Sequence, residues 1–344
     1  MPDNPPLLHV AVCGAGAFGR NHLRVYRELE RDANPVKLAA ILESESSRAE
    51  ALRHEWGIPV YPSVDELLAA RARKEVTIDA ASICVPTSAH HTIAAELLQS
   101  KIDLLIEKPI AASTAEADEL ITLAHKHGRI VQVGHLERFN PAVLAVQPLL
   151  NRPMFFEAHR LSMFTPRALD VDVVLDLMIH DLDIVLSFAH SPVREIHAVG
   201  LPILSSKTDI ANVRIEFESG CVANFTASRV STEQVRKLRF FQPHQYISID
   251  YARKDILIID VDAKPGASAG DISPGLSMNK PQVQQAEPLR LEIESFLDAV
   301  RTREAPRVTA ADGRAVLALA LEINRATAKH AQRAGLDQFS KRVP

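Results

Sequence analysis

Between residues 8 and 133 the hydrophobic positions alternate between two rhythms. Short apolar runs at 8–13, 37–42, 80–85, 103–106 and 129–133 predict buried strands. Between them, 18–30, 48–56, 63–72, 90–99 and 114–127 carry apolar residues at helical spacing. Ser63 and Ser113 each stand before a helix, with Glu66 and Glu116 three residues later, so both starts read as capping boxes. Strand alternating with helix predicts parallel strands joined by helical crossovers, hence an α/β doubly wound sheet. Ligands on such sheets sit beyond the carboxyl ends of the strands. The residues just after each strand are therefore the candidates for chemistry.

After about residue 150 the rhythm changes. Segments 154–161, 194–203, 211–218, 222–228 and 235–251 read as extended, with one helical stretch at 171–188. Runs of strands predict an α+β domain with a large, mostly antiparallel open sheet. Val213-Arg214-Ile215-Glu216-Phe217 alternates strictly, so one face of that sheet is buried. Residues 262–286 are rich in Pro, Gly, Ser and Ala and predict a mobile surface loop. Two amphipathic helices, 287–301 and 310–332, follow, split by Pro306. The expected division is a nucleotide-binding domain at 1–134 and a substrate-binding and oligomerisation domain at 135–344.

Composition narrows the class. At 344 residues the chain suits two cores, and 39 Lys plus Arg against 43 Asp plus Glu give a net charge of −4. That balance offers no electrostatic reason for a nucleic-acid or membrane partner, and points to a small-molecule substrate. The three cysteines, Cys13, Cys84 and Cys221, show no zinc spacing, and two lie in apolar runs. A reduced, cytoplasmic protein is the expectation. The first apolar run leads straight into glycines and lacks the features of a signal peptide.

Gly14-x-Gly16-x-x-Gly19, with Ala17 and Phe18 between, follows a predicted strand and opens a predicted helix. Gly14 permits the tight turn, Gly16 lets the backbone approach a pyrophosphate, and Gly19 lets helix and strand pack closely. The helix N-terminus then offers N–H groups to the phosphates. Glu43, at the end of the second strand, is placed to accept hydrogen bonds from the adenosine ribose and to repel a 2′-phosphate. This favours NAD, although Arg48 with Ser44, Ser46 and Ser47 keeps NADP open. Pro86, Thr87 and His90 follow the next strand, where a nicotinamide or its ribose would lie; His91 fits helix-start surface chemistry equally well.

The strand at 103–106 delivers Glu107-Lys108-Pro109 to the same edge, where Glu107 and Lys108 join the candidates for cofactor binding. Lys108 there can hydrogen-bond a hydroxyl and stabilise a forming alkoxide. In the helical stretch, Asp176 and His180 are four residues apart and share one face in an α-helix. An Asp beside a His orients the ring and supports a general base. Asp172, Asp176 and His180 at four-residue steps also fit a metal, and Asp176 with His180 also fits a plain helix-surface ion pair; hydride transfer from an alcohol needs only a base and an alkoxide stabiliser, so no metal is required. Arg138, Arg160 and Arg167 flank the helix and can clamp a diphosphate. They can equally pair with Glu137, Asp170 or Asp172.

With these residues in their order and spacing, the chain resembles the Gfo/Idh/MocA oxidoreductase family along nearly its whole length. The resemblance implies a Rossmann domain before an open-sheet α+β domain. It implies Lys108 and His180 at the reacting hydroxyl, Asp176 beside the histidine, and Pro86 and His90 in a turn lining the nicotinamide pocket. It also implies a homodimer or homotetramer formed through the open sheet. Gly134-His135-Leu136-Glu137-Arg138-Phe139-Asn140-Pro141 and the segment from Arg160 to Asp183 resemble, more narrowly, the UDP-N-acetylglucosamine 3-dehydrogenases of that family. This implies oxidation of a sugar 3-hydroxyl to a ketone, towards 3-amino sugars of lipid A precursors. A myo-inositol or free-sugar dehydrogenase, and a non-catalytic NAD-binding sensor, are the alternatives.

Overall fold

The computed structural model describes residues 5–164, 171–262 and 275–336. The chain forms two compact units. The first begins with β1 (Leu8–Cys13), α1 (Ala17–Arg31), β2 (Val36–Leu42), α2 (Ser46–Trp56), β3 (Val60–Tyr61) and α3 (Val64–Ala72). It continues with β4 (Ala80–Ile83), α4 (Thr87–Gln99), β5 (Asp103–Glu107), α5 (Thr114–His127) and β6 (Val131–Gly134). The six strands lie in the order β3-β2-β1-β4-β5-β6, all parallel. The order reverses between β1 and β4, which places the ligand crevice at their carboxyl ends. Both capping serines act as expected: Ser63 accepts from the Glu66 N–H and Ser113 from the Glu116 N–H, each at 3.2 Å.

The second unit contains α6 (Pro141–Val146), β7 (Phe155–Met163), a π-helical turn at Val174–Met178, α7 (Ile179–Ala189) and β8 (Val193–Leu201). Then come β9 (Ile210–Phe217), β10 (Val222–Ser231), β11 (Val235–Gln242), β12 (Gln245–Asp250), β13 (Asp255–Asp262) and β14 (Gly275–Asn279). Its eight strands run β14-β13-β12-β11-β7-β10-β9-β8, antiparallel except where β10 meets β7. Burial alternates along them: Phe156 and Ala158 of β7, Ala223 and Phe225 of β10, and Leu238 and Phe240 of β11 are buried. Their neighbours in sequence face the other side of the sheet.

Three sequence expectations change. The extended run 235–251 is a hairpin, broken at Pro243-His244, where His244 takes φ 60°. Part of the 262–286 loop is β14, paired with β13; residues 263–274 lie outside the described set. The division is not one cut near 134, because Glu287–Leu317 belongs to the first unit. This segment holds α8 (Pro288–Thr302) and the start of α9 (Ala310–Arg333). Leu289, Ile293, Phe296, Leu297 and Val300 of α8 join Leu23, Tyr26 and Leu29 of α1 in one core cluster. Full burial of a side chain such as Phe296 contributes roughly 1.5–3 kcal/mol, enough to fix where the helix docks. Among the described residues no helix is long and apolar enough to cross a membrane.

Candidate active site

The glycine turn carries its own proof of need. Gly14 has φ +88°, and a Cβ there would stand 2.8 Å from Val85 Cγ1. A Cβ on Gly19 would lie 1.9 Å from the Gly14 carbonyl oxygen, so helix and turn touch through backbone. A Cβ on Gly16 would meet nothing within 4 Å. Gly16 is also the N-cap of α1, and no side chain caps that helix. Open space over an uncapped helix start, where Ala17 and Phe18 form the first turn, is the cradle a pyrophosphate requires. Glu43, buried just past β2, accepts from the Ala15 N–H at 3.2 Å and the Glu45 N–H at 3.1 Å, and Arg48 donates to it at 3.2 Å. Its carboxylate is thus tied to the glycine turn. These residues fit a dinucleotide.

Beyond β4 and β5 the two turns are stitched together. Pro86 is the N-cap residue of α4 and Thr87 its first residue. His90 is buried, with Nε2 2.9 Å from the Val85 carbonyl and Nδ1 2.9 Å from the Pro109 carbonyl. The ring therefore sits between the turn after β4 and the turn that carries Lys108, and in its neutral form donates to one of the two carbonyls. Burial pulls its pKa below the ordinary value, against the pull of the two carbonyls. His90 serves the expected nicotinamide turn from within rather than as an exposed polar group. His91 follows its surface reading, with Nε2 2.9 Å from Glu119. Lys108 is half-buried just past the end of β5, and its peptide bond to Pro109 is cis.

In the second unit His180 is half-buried in the first turn of α7. Asp176 lies in the π-helical turn before it. The two residues thus lie on a π-helical turn that runs into an α-helix, rather than on one continuous α-helix. Such turns frequently mark functional sites. Asp172 accepts from the Val174 and Leu175 N–H groups and from Asn324 at 2.9–3.0 Å, so it caps the turn.

The described arginines pair with carboxylates, but of the partners named from sequence only Glu137 is among them. Arg160 is buried and donates to both oxygens of Asp181 at 2.8 and 3.0 Å and to Glu137 at 3.2 Å. It also lies 5.2 Å over the Tyr251 ring. Burial opposes its charge, but the Asp181 and Glu137 carboxylates more than reverse this and hold the guanidinium protonated. Arg138 grips Asp183 in a fork at 2.7 and 2.9 Å. Arg167 lies outside the described residues. Sequence reading missed His22 and Glu292, which lie buried in the first unit. Their one sequence signal is a polar residue on the apolar face of an amphipathic helix.

Comparison with known proteins agrees with this architecture. Residues 8–135 match the family described as oxidoreductase family, NAD-binding Rossmann fold, and residues 148–242 match the GFO/IDH/MocA C-terminal domain. A UDP-N-acetylglucosamine 3-dehydrogenase of Acidithiobacillus ferrooxidans is 34% identical over 327 residues, covering 95% of this chain and 99% of that protein. A crystal structure of that dehydrogenase superposes with a TM-score of 0.83 at 33% identity over 93% of this chain and 97% of that one. The NAD(+)-dependent scyllo-inositol 2-dehydrogenase of Bacillus subtilis is 26% identical over 88% of this chain and 89% of its own. The glycine turn, the lysine after β5, the histidine of α7 and these full-length matches lead to one conclusion: the chain belongs to the Gfo/Idh/MocA family of NAD-binding oxidoreductases.

Proposed function

We propose that this protein oxidises the 3-hydroxyl of UDP-N-acetylglucosamine to a ketone, using NAD. The observation that carries the reading is the 34% identity, over nearly the full length of both chains, to a UDP-N-acetylglucosamine 3-dehydrogenase. The 3-keto sugar would then suit amination towards 3-amino lipid A precursors. The fit of the glycine cradle and the buried acid Glu43 supports NAD over NADP, since a carboxylate at the ribose repels a phosphate.

Bound NAD supplies the hydride acceptor. His180 takes the proton of the hydroxyl as general base, a role typically contributing 10²–10⁴ in rate. Lys108 donates a hydrogen bond to the same oxygen and stabilises the charge that develops there. Asp176 orients the imidazole and stabilises its protonated form. Arg138 and Arg160 act on substrate only indirectly in this reading, by holding the segments that carry them. A panel of UDP-sugars and free polyols with NAD, followed by NADH absorbance, tests the proposal. Reduction with UDP-N-acetylglucosamine is expected, and a response to inositol or free sugars alone would overturn it.

We further propose a homodimer or homotetramer built on the exposed face of the eight-stranded sheet. Phe155, Phe241, Tyr246, Ile259 and Met278 stand side by side in register across five strands. Phe241 is 41% and Met278 68% exposed, an apolar row that favours a partner surface. Sedimentation of the wild type and of Phe241→Glu tests this; a wild type that sediments as a monomer removes the proposal.

A further inference from the structure

Three chemistry-bearing side chains meet inside the first unit, where packing alone asks for none. His22 comes from α1, Glu107 from the end of β5 and Glu292 from α8. Their nitrogen and carboxylate oxygen atoms lie within 4.8 Å of one another. His22 and Glu292 are fully buried, and the Glu107 side chain is 12% exposed. His22 Nε2 is 3.0 Å from Glu107 Oε1. Its Nδ1 has no hydrogen-bond partner among the described residues. The Glu107 contact and the edge-on Phe18 ring, 5.5 Å away, therefore set the orientation of the imidazole.

Glu292 is out of keeping with its helix. The other buried residues of α8 are Leu289, Ile293, Phe296, Leu297, Ala299 and Val300. Burying a carboxyl among them costs free energy that a leucine would not. Two carboxyls this close also repel when both are ionised. A helix needed only for packing has no use for either cost. Its place is nonetheless firmly fixed, since Gln132 of β6 donates to the Glu292 backbone carbonyl at 3.0 Å. Glu107 in turn rests on Gly134, where a Cβ would lie 2.7 Å from Oε1. An imidazole, a second carboxyl and a bare glycine backbone thus confine the side chain of the residue directly before Lys108.

We propose that Glu292, acting through His22 and Glu107, is a positioning residue for Lys108. The proposal rests on Lys108 touching the substrate oxygen, as read above. The confined Glu107 fixes the turn after β5 from inside the unit, so the lysine leaves that turn in one direction. Small misplacements of a catalytic group are costly to rate. The return of α8 to this unit, with an acid on its buried face, then has a function beyond covering the sheet.

A double-mutant cycle of Glu292→Gln and Lys108→Met tests the link. Glu292→Gln keeps the side-chain shape and removes the acid. It should retain the circular dichroism of the wild type and bind NAD within about threefold, yet lose turnover by about tenfold with little change in KM. In the Lys108→Met background the same change should cost nothing further, because residues acting as one unit are not additive. Equal losses in both backgrounds would make Glu292 merely structural, and an unaltered turnover in Glu292→Gln would remove it from the mechanism. Full turnover in Lys108→Met would instead overturn the catalytic reading, and this inference with it. If Glu292→Gln does not fold, His22→Gln probes the same link from α1 with the same expected outcomes.

Discussion

At the carboxyl edge of the first unit's sheet, the described contacts of the polar residues run largely to backbone. Glu43 accepts from two N–H groups, and His90 lies between two backbone carbonyls. On the helix side of the second unit's sheet, charge meets charge: Arg160 with Asp181 and Glu137, and Arg138 with Asp183. The difference teaches how to separate site from scaffold. Backbone-anchored polar groups shape the turns at the strand ends. Forked arginine–carboxylate pairs that bury both charges tie elements to one another. A cationic residue near the helix that carries His180 is therefore no sign of substrate contact until its partners are known.

The sharpest way to break this contrast is to remove the proposed chemistry while sparing the scaffold. Lys108→Met and His180→Ala should each lower kcat by at least about a hundredfold. NAD binding, read by quenching of intrinsic fluorescence, should persist. Unaltered turnover in either would remove that residue from the mechanism. Arg160→Met makes the opposite test. It strands Asp181 and Glu137 without their cation, and breaking a buried pair costs about 3–5 kcal/mol. The loss should appear in urea unfolding of the variant. A full loss of substrate affinity with wild-type stability would return Arg160 to the substrate site.

Much of the first unit was legible because its signals are local. A serine and a glutamate three residues apart predict a cap, and the glycines of a tight turn announce themselves by spacing. The second unit hides more. The strand at 255–262 escaped notice because its turn residues abut those of the preceding hairpin. The π-helical turn at Val174–Met178 was invisible because periodicity assumes one helical pitch. The partners of Arg160 lie 21 and 23 residues away, and nothing in the sequence chooses between a carboxylate of the chain and a phosphate of a ligand. Likewise α8 reads as an amphipathic helix, but which sheet it covers depends on packing with Leu23, Tyr26 and Leu29 of the distant α1. Of the candidate residues, those at the strand ends were readable, and the buried His22 and Glu292 were not.

Two smaller changes sharpen the comparison from the first unit's side. Glu43→Ser removes the carboxylate that would repel a 2′-phosphate. The ratio of kcat/KM for NAD over NADP should fall by about tenfold, the scale of one such contact. An unchanged ratio would leave cofactor choice to Arg48 and its neighbours. The mildest effect concerns His90. Burial keeps its folded pKa below the ordinary 6.5, so the native ring resists a proton that the unfolded chain accepts. Below about pH 6.5 the unfolded state then binds more protons, and stability falls as pH falls towards the folded pKa. Above that range the contribution is fully present. His90→Gln keeps a donor for one carbonyl and abolishes the titration. Its Tm should lie below the wild type's at neutral pH, with the gap narrowing on acidification to about pH 5. A gap that stays constant would mean that His90 bridges the two turns without its proton mattering to the fold.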